Sequence, residues 1–219
     1  MKKFVPVFDA GHGGIYLGNY QTPGKRSPLW PDGSQLFEGE FNRAVMSRVI
    51  ELCVFNGVPY ATTDTLGEAD VSLTERVNII NSITRENYNN YNYYGVSIHS
   101  NATVDPHGKD AHGCEIFVHP RSSNSSKLIA NCFAREYIKR FGLKMWRFGN
   151  NTTDHNEYGA RELYKTANYK ILRETICPMV LIENFFMDNE IECKEILLSH
   201  QGRDACAETI FKSVHNLWN

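Results

Sequence analysis

Tyr94-Gly-Val-Ser-Ile-His-Ser-Asn-Ala102 decides how the rest of the chain is read. Val96 and Ile98 alternate with Ser97 and His99, and the run breaks at Ser100-Asn101. This pattern predicts a short core strand ending in a polar tip. In α/β sheets chemistry collects at the carboxyl ends of the strands, which is where His99 falls. Two other apolar runs end the same way. Phe4-Val-Pro-Val-Phe-Asp-Ala10 leads into Gly11-His12-Gly13-Gly14, and Met179-Val-Leu-Ile182 leads into Glu183-Asn184. Strands that each deliver a ligand or base at the tip point to one shared site, with Asn101 a candidate contact for whatever enters it.

Working outward, helical and strand patterns alternate. A helix is expected from Glu38 to Phe55, with Phe41, Val45, Val49 and Leu52 or Cys53 on one face and Asn56-Gly57 as its stop. Val58–Thr63 and Cys114–His119 read as strands. Ser72-Leu-Thr-Glu75 fits a capping box that opens a helix with Leu73, Val77, Ile80 and Ile83 inward. Ser123–Ser126 starts a helix that runs through Phe141 and ends at Gly142, and two more helices are expected near 190–198 and 203–218. Residues 143–167 give no regular pattern. The expected fold is α/β: a three-layer αβα arrangement, its twisted, mostly parallel sheet of about six strands covered by helices on both faces. Neither a repeat nor a linker divides it, so residues 1–219 are read as a single domain.

Composition narrows the function classes. Of 219 residues, 42% are hydrophobic and 22% charged, ordinary values for a globular chain with a sizeable core. A formal charge of -2 gives no reason to expect nucleic acid or an anionic membrane as partner. The six cysteines form no C-x-x-C pair and several fall in apolar runs, so they read as reduced, buried thiols. After Met1-Lys2-Lys3 the apolar run is broken by Pro6 and Asp9, too short and polar for a signal-peptide core. Synthesis in the cytoplasm without a signal peptide, and a monomer, are the expectations.

Residues 13–37 form a long polar loop rich in glycine and proline, a length that is usually functional. Its Tyr20, Arg26 and Trp30, leading directly to Glu38, are candidate substrate contacts. Solvated insertion is the competing reading.

His12, Glu38 and His99 together supply the kind of three-ligand set, imidazole and carboxylate, with which hydrolytic zinc enzymes hold their metal. Glu183, at the end of an apolar strand, is the natural base, since partial burial raises a carboxyl's pKa toward neutrality. Taken singly, each has a plainer role: a hydrogen-bonded strand-end histidine, a helix-start carboxylate, a salt-bridge partner. No H-E-x-x-H is present, so the constellation carries the reading. Asp9 is a candidate to orient a ligand, or a capping residue. His107, His119, His200 and His215 read as surface or packed residues, while His112 and His155 fall in loops able to approach the site.

The chain resembles the zinc-dependent N-acetylmuramoyl-L-alanine amidases of the Amidase_3 type, which cut peptidoglycan. The matching runs are Phe8-Asp-Ala-Gly-His-Gly-Gly14, Phe37-Glu-Gly-Glu-Phe-Asn42, Thr62-Thr-Asp64 with Ser72-Leu-Thr-Glu-Arg-Val-Asn78, Val96-Ser-Ile-His-Ser-Asn-Ala102, and Pro178-Met-Val-Leu-Ile-Glu-Asn-Phe-Phe-Met-Asp-Asn189. The resemblance implies that His12, Glu38 and His99 bind zinc and that Glu183 is the catalytic glutamate. It favours Glu38 over Glu40 because Asn42 stands four residues after it. Ala10 stands where proline is common, and the loops before Glu38 and at 143–167 are longer than usual, which leaves substrate preference open. The implied partner is peptidoglycan, cut in the manner of a phage-type endolysin acting at the cell wall. A zinc peptidase or deacetylase on another amide, and a non-catalytic wall-binding module, are the alternatives.

Overall fold

Alternation along the central runs sorts their side chains to opposite faces of a sheet, and both faces are covered. The structure, a computed structural model, describes residues 3–63, 67–86, 91–103, 111–147 and 162–219. In chain order the elements are β1 (Phe4–Ala10), a small hairpin of β2 (Ile15–Tyr16) and β3 (Asn19–Tyr20), α1 (Glu38–Phe55), β4 (Ala61–Thr62), α2 (Leu73–Glu86) and β5 (Asn92–Asn101). They continue with β6 (Glu115–Val118), α3 (Asn124–Phe141), β7 (Lys165–Thr166), α4 (Lys170–Glu174), β8 (Met179–Phe186), α5 (Glu190–Glu192) and α6 (His200–Trp218). The six-stranded sheet has the order β4-β1-β5-β8-β6-β7. Strands β4, β1, β5 and β8 run parallel, while β6 is antiparallel to β8 and carries β7 parallel beside it.

On one face Phe8, Val96, Ile98, Val180 and Ile182 pack with buried residues of α1, α3 and α6. On the other, Val7, Met179 and Leu181 pack with Val77 and Ile80 of α2 and Ile171 and Leu172 of α4. Each such side chain contributes roughly 1.5–3 kcal/mol when fully buried, so the period-two pattern itself assembles the three layers. The expected mostly parallel αβα sheet is what forms.

Local signals act where the sequence places them. Ser72 Oγ accepts from Glu75 N at 3.2 Å ahead of α2, and Ser123 Oγ accepts from Ser126 N at 3.2 Å ahead of α3. Gly57 (φ 65°) follows α1 and Gly142 (φ 89°) follows α3. Three boundaries differ from expectation. Within Val58–Thr63 only Ala61–Thr62 pairs as strand, and the last helix begins at His200, capped by Ser199. Strand β8 continues past Ile182 to Phe186, because Glu183 and Asn184 find partners or a cavity instead of ending the ladder.

All six cysteines carry free thiols, five of them buried. None of the described helices is long and apolar enough to cross a membrane. His107, His155 and Asp64 lie outside the described residues.

Candidate metal centre

The site lies where the parallel strands β1, β5 and β8 end. Gly11 N still donates to Ile98 O at 2.9 Å, and the chain then turns at His12 in the left-handed region, φ 64°. For a residue with a Cβ that conformation costs about 1–2 kcal/mol, so surrounding contacts must hold it. Gly11 has to lack a side chain: a Cβ there would lie 2.1 Å from His99 Cε1. The His99 ring packs over the backbone of the β1 tip for that reason.

Glu38 opens α1, where a carboxylate is favoured by the helix dipole. Its N–H donates to Lys25 O at 2.9 Å, which ties the helix start to the long loop. The first turn of α1 also runs close to the His12 turn, since a Cβ on Gly39 would meet Gly13 O at 2.0 Å. From this position Glu38 Oε1 lies 3.2 Å from His12 Nε2, 3.1 Å from His99 Nδ1 and 3.3 Å from Ser100 N. The His12 and His99 rings are nearly perpendicular, 86°, with centroids 5.0 Å apart.

Burial pushes the Glu38 carboxyl up, but the hydrogen bonds and charges of the two histidines outweigh it and hold the group well below the usual carboxylate range. Burial lowers the His12 imidazole against the pull of Glu38. At His99 burial also disfavours charge, yet the hydrogen bond to Glu38, with Glu183, leaves its pKa raised. One donor atom from each of His12, Glu38 and His99 falls within 4.8 Å of the others. Two imidazole nitrogens and one carboxylate oxygen, aimed inward beside a cavity, fit a zinc-type ion.

Glu183 stands across from His99 in the parallel β5–β8 register and across from Glu115 in the antiparallel β6–β8 register. Burial pushes its carboxyl up to about 8, against the attraction of His99 and with the help of the Glu38 and Glu115 carboxylates. Glu115 is itself held by Lys165 Nζ at 3.0 Å and by Arg147. Asn184 faces the opposite way, accepting from Tyr137 Oη at 2.5 Å and donating to His99 O at 2.9 Å.

A cavity of about 380 Å³ opens on this cluster, lined by His12, Glu38, His99, Asn101 and Glu183 together with Lys25, Tyr169 and Lys170. Asn101 is among the residues that line it. Tyr20 is turned elsewhere: its hydroxyl donates to Lys25 O at 2.6 Å and accepts from Gly39 N at 3.2 Å, bracing the entry to α1. Arg26 bridges to Phe37 and is exposed, away from the cavity lining. Trp30 lines a separate cavity of about 730 Å³ with His112, Met145 and Asp188, its Nε1–H directed to Cys193 Sγ at 3.3 Å.

Asp9 has a clear set of partners. Its carboxylate accepts from Arg76 Nη1 at 2.9 Å, Thr63 Oγ1 at 2.8 Å and Ser97 Oγ at 2.6 Å. Breaking a buried ion pair by removing one member costs about 3–5 kcal/mol. Arg76 and Arg43 are the site residues the sequence reading did not single out, while Lys25 belongs to the long loop read as suited to a polar substrate. Arg76 shares the inward face of α2 with Ile80 and Ile83, a spacing that signals a buried arginine.

Residues 7–216 match the family model described as N-acetylmuramoyl-L-alanine amidase, Amidase_3. The chain belongs to that family. No curated protein matches it. Among solved structures the amidase chain is similar to the N-acetylmuramoyl-L-alanine amidase from Clostridium difficile 630, with a TM-score of 0.72 and 21% identity over 98% of this chain and 96% of that one. It is also similar to the catalytic domain of CwlV, an N-acetylmuramoyl-L-alanine amidase from Bacillus (Paenibacillus) polymyxa var. colistinus, at TM-score 0.69 and 20% identity over 99% and 97%. The catalytic domain of the CD27L endolysin targeting Clostridia difficile gives TM-score 0.58 and 16% identity over 98% and 97%. At these identities the likeness is one of fold. The family makes this chain an enzyme that hydrolyses amide bonds, with peptidoglycan as the substrate class.

Proposed function

We propose that the chain is a zinc-dependent N-acetylmuramoyl-L-alanine amidase, its metal held by His12, Glu38 and His99 and its proton transfer carried by Glu183. The observation that carries this is the convergence of the three donor atoms within 4.8 Å beside a cavity that Glu183 also lines. Zinc, when bound, supplies a Lewis acid that polarises the scissile carbonyl and acidifies water to a pKa of roughly 7.

The chain's own residues do the rest. Glu183, lifted to about 8, accepts a proton from the water that attacks the lactyl carbonyl carbon. As the C–N bond breaks it returns that proton to the departing amine of L-alanine. Asn101 and Lys25 meet the substrate. Lys25 lines the cavity and pairs with no acidic side chain among the described residues, so its charge is available to a free carboxylate of the stem peptide. Trp30 and Arg26 are left without a part in this cleft.

A bacteriolytic, endolysin-type role at the cell wall belongs to the same reading. Cutting between glycan and stem peptide removes the cross-links that bear the load of the wall, and lysis follows from that chemistry. The test is mass spectrometry of peptidoglycan digests, with and without chelator. New L-alanine amino termini that disappear on chelation support the proposal. New termini elsewhere in the stem would assign a peptidase, and loss of acetyl groups alone a deacetylase.

A further inference from the structure

Two guanidinium groups from different helices converge on one backbone carbonyl, that of His12. Arg43 of α1 donates from Nη2 to His12 O at 2.7 Å, and its remaining nitrogens bond Gly39 O at 2.8 Å and Gly67 O at 2.8 Å. Arg76 of α2 donates from Nη2 to the same His12 O at 3.3 Å. Its Nη1 bonds Ala10 O and Asp9 Oδ1, its Nε bonds Val71 O at 2.7 Å, and Asp70 Oδ1 lies 3.4 Å from Nη2. Arg43 is 7% exposed and Arg76 2%.

Placing two buried like charges on one carbonyl is unfavourable in itself, and the helices do not need it. Helix α1 is already anchored by Phe41, Val45 and Val49, and α2 by Val77 and Ile80. The grip falls on the residue whose backbone is left-handed, φ 64°, and whose Nε2 must face Glu38 Oε1. We propose that Arg43 and Arg76 are positioning residues for His12. Their charge-assisted hydrogen bonds hold its carbonyl inward, so the ring is aimed before any metal arrives. Helix α1 then fixes both ends of the residue, Glu38 at the ring and Arg43, five residues on, at the carbonyl. This rests on His12 being a metal ligand, the reading proposed above.

A lysine keeps the charge but has no planar fork with which to bond several carbonyls at once. Arg43→Lys and Arg76→Lys are therefore the informative variants, with Val49→Ala as a control that destabilises the core away from the site. Three quantities are measured on each: zinc affinity by competition with a chromophoric chelator, the visible spectrum of the cobalt-loaded protein, and the melting temperature without metal. Both lysine variants are expected to lose zinc affinity roughly 10–100-fold and to shift the cobalt bands. Val49→Ala is expected to melt lower and bind zinc as the wild type does. Should Arg76→Lys fail to fold, Arg43→Lys carries the test, since Arg43 bonds three backbone carbonyls and no buried carboxylate.

Wild-type affinity and spectrum in the lysine variants would overturn the proposal. So would an affinity loss in Val49→Ala matching theirs for the same drop in melting temperature, because the arginines would then be merely structural. A His12→Ala variant that binds zinc like the wild type would instead remove the ligand reading, and the proposal with it.

Discussion

His99 and Glu183 stand directly opposite each other on the parallel strands β5 and β8, and the regular register stops there. Asn101 next pairs with Phe186, so β8 spends three steps where β5 spends two. The extra residue falls at Phe185, left-handed at φ 53° and packed edge-on against Phe141 with ring centroids 5.0 Å apart. A bulge at this point re-aims the strand end and leaves Glu183 facing the cavity beside the candidate metal ligands.

Glu183→Gln keeps the shape of the side chain and removes the proton acceptor. The variant is expected to bind zinc as the wild type does while losing roughly 10²–10⁴ in turnover. Metal content and turnover measured on one preparation check this. A variant depleted of zinc would make Glu183 a ligand rather than a base.

The raised Glu183 carboxyl has a signature in the metal-free protein. Its folded value is about 8 and its ordinary value 4.5, so its contribution to stability is complete below about 4.5 and is lost as pH rises through 8. Melting curves of metal-free wild type should fall relative to metal-free Glu183→Gln between pH 5 and 8. Glu38 is shifted the opposite way and acts only at lower pH, and His12 and His99 are present in both proteins, so the difference between the curves reports Glu183 together with its coupling to His99. Parallel pH curves for the two proteins would show that Glu183 is not desolvated as described.

Substrate contact divides Lys25 from Trp30. Lys25→Gln is expected to raise KM several-fold on a muropeptide with a free carboxylate next to L-alanine and little on its amidated counterpart, leaving kcat nearly unchanged. Trp30→Ala is expected to leave both constants alone, since the indole lies in another cavity against Cys193. A large loss in Trp30→Ala would restore the loop contact expected from sequence. Equal effects of Lys25→Gln on the two muropeptides would dismiss the carboxylate role.

What the sequence reveals follows from how local the cause is. His12, His99 and Glu183 end apolar runs, and Glu38 begins a helix, so pattern alone brings them to one edge of the sheet. The capping serines at 72 and 123 and the glycines at 57 and 142 act within a few residues and are equally readable. The path of residues 13–37 is not. It is fixed by contacts such as Trp30 with Cys193, far away in the chain, and Tyr20 with the backbone at Lys25 and Gly39. The length of β8 goes with a bulge at Phe185, whose ring meets Phe141 at the distant end of α3. The inward spacing of Arg76 is visible in the sequence, but that it and Arg43 share the His12 carbonyl is not, since that contact joins two helices and the β1 tip.

The most direct measurement is reconstitution of metal-free protein with zinc, following hydrolysis of a defined N-acetylmuramoyl-L-alanine peptide. Activity is expected to be absent without metal, to rise linearly with added zinc, and to level off at about one ion per chain, with product carrying a free L-alanine amine. Full turnover by metal-free protein, or cleavage at any bond other than the one to L-alanine, would contradict it.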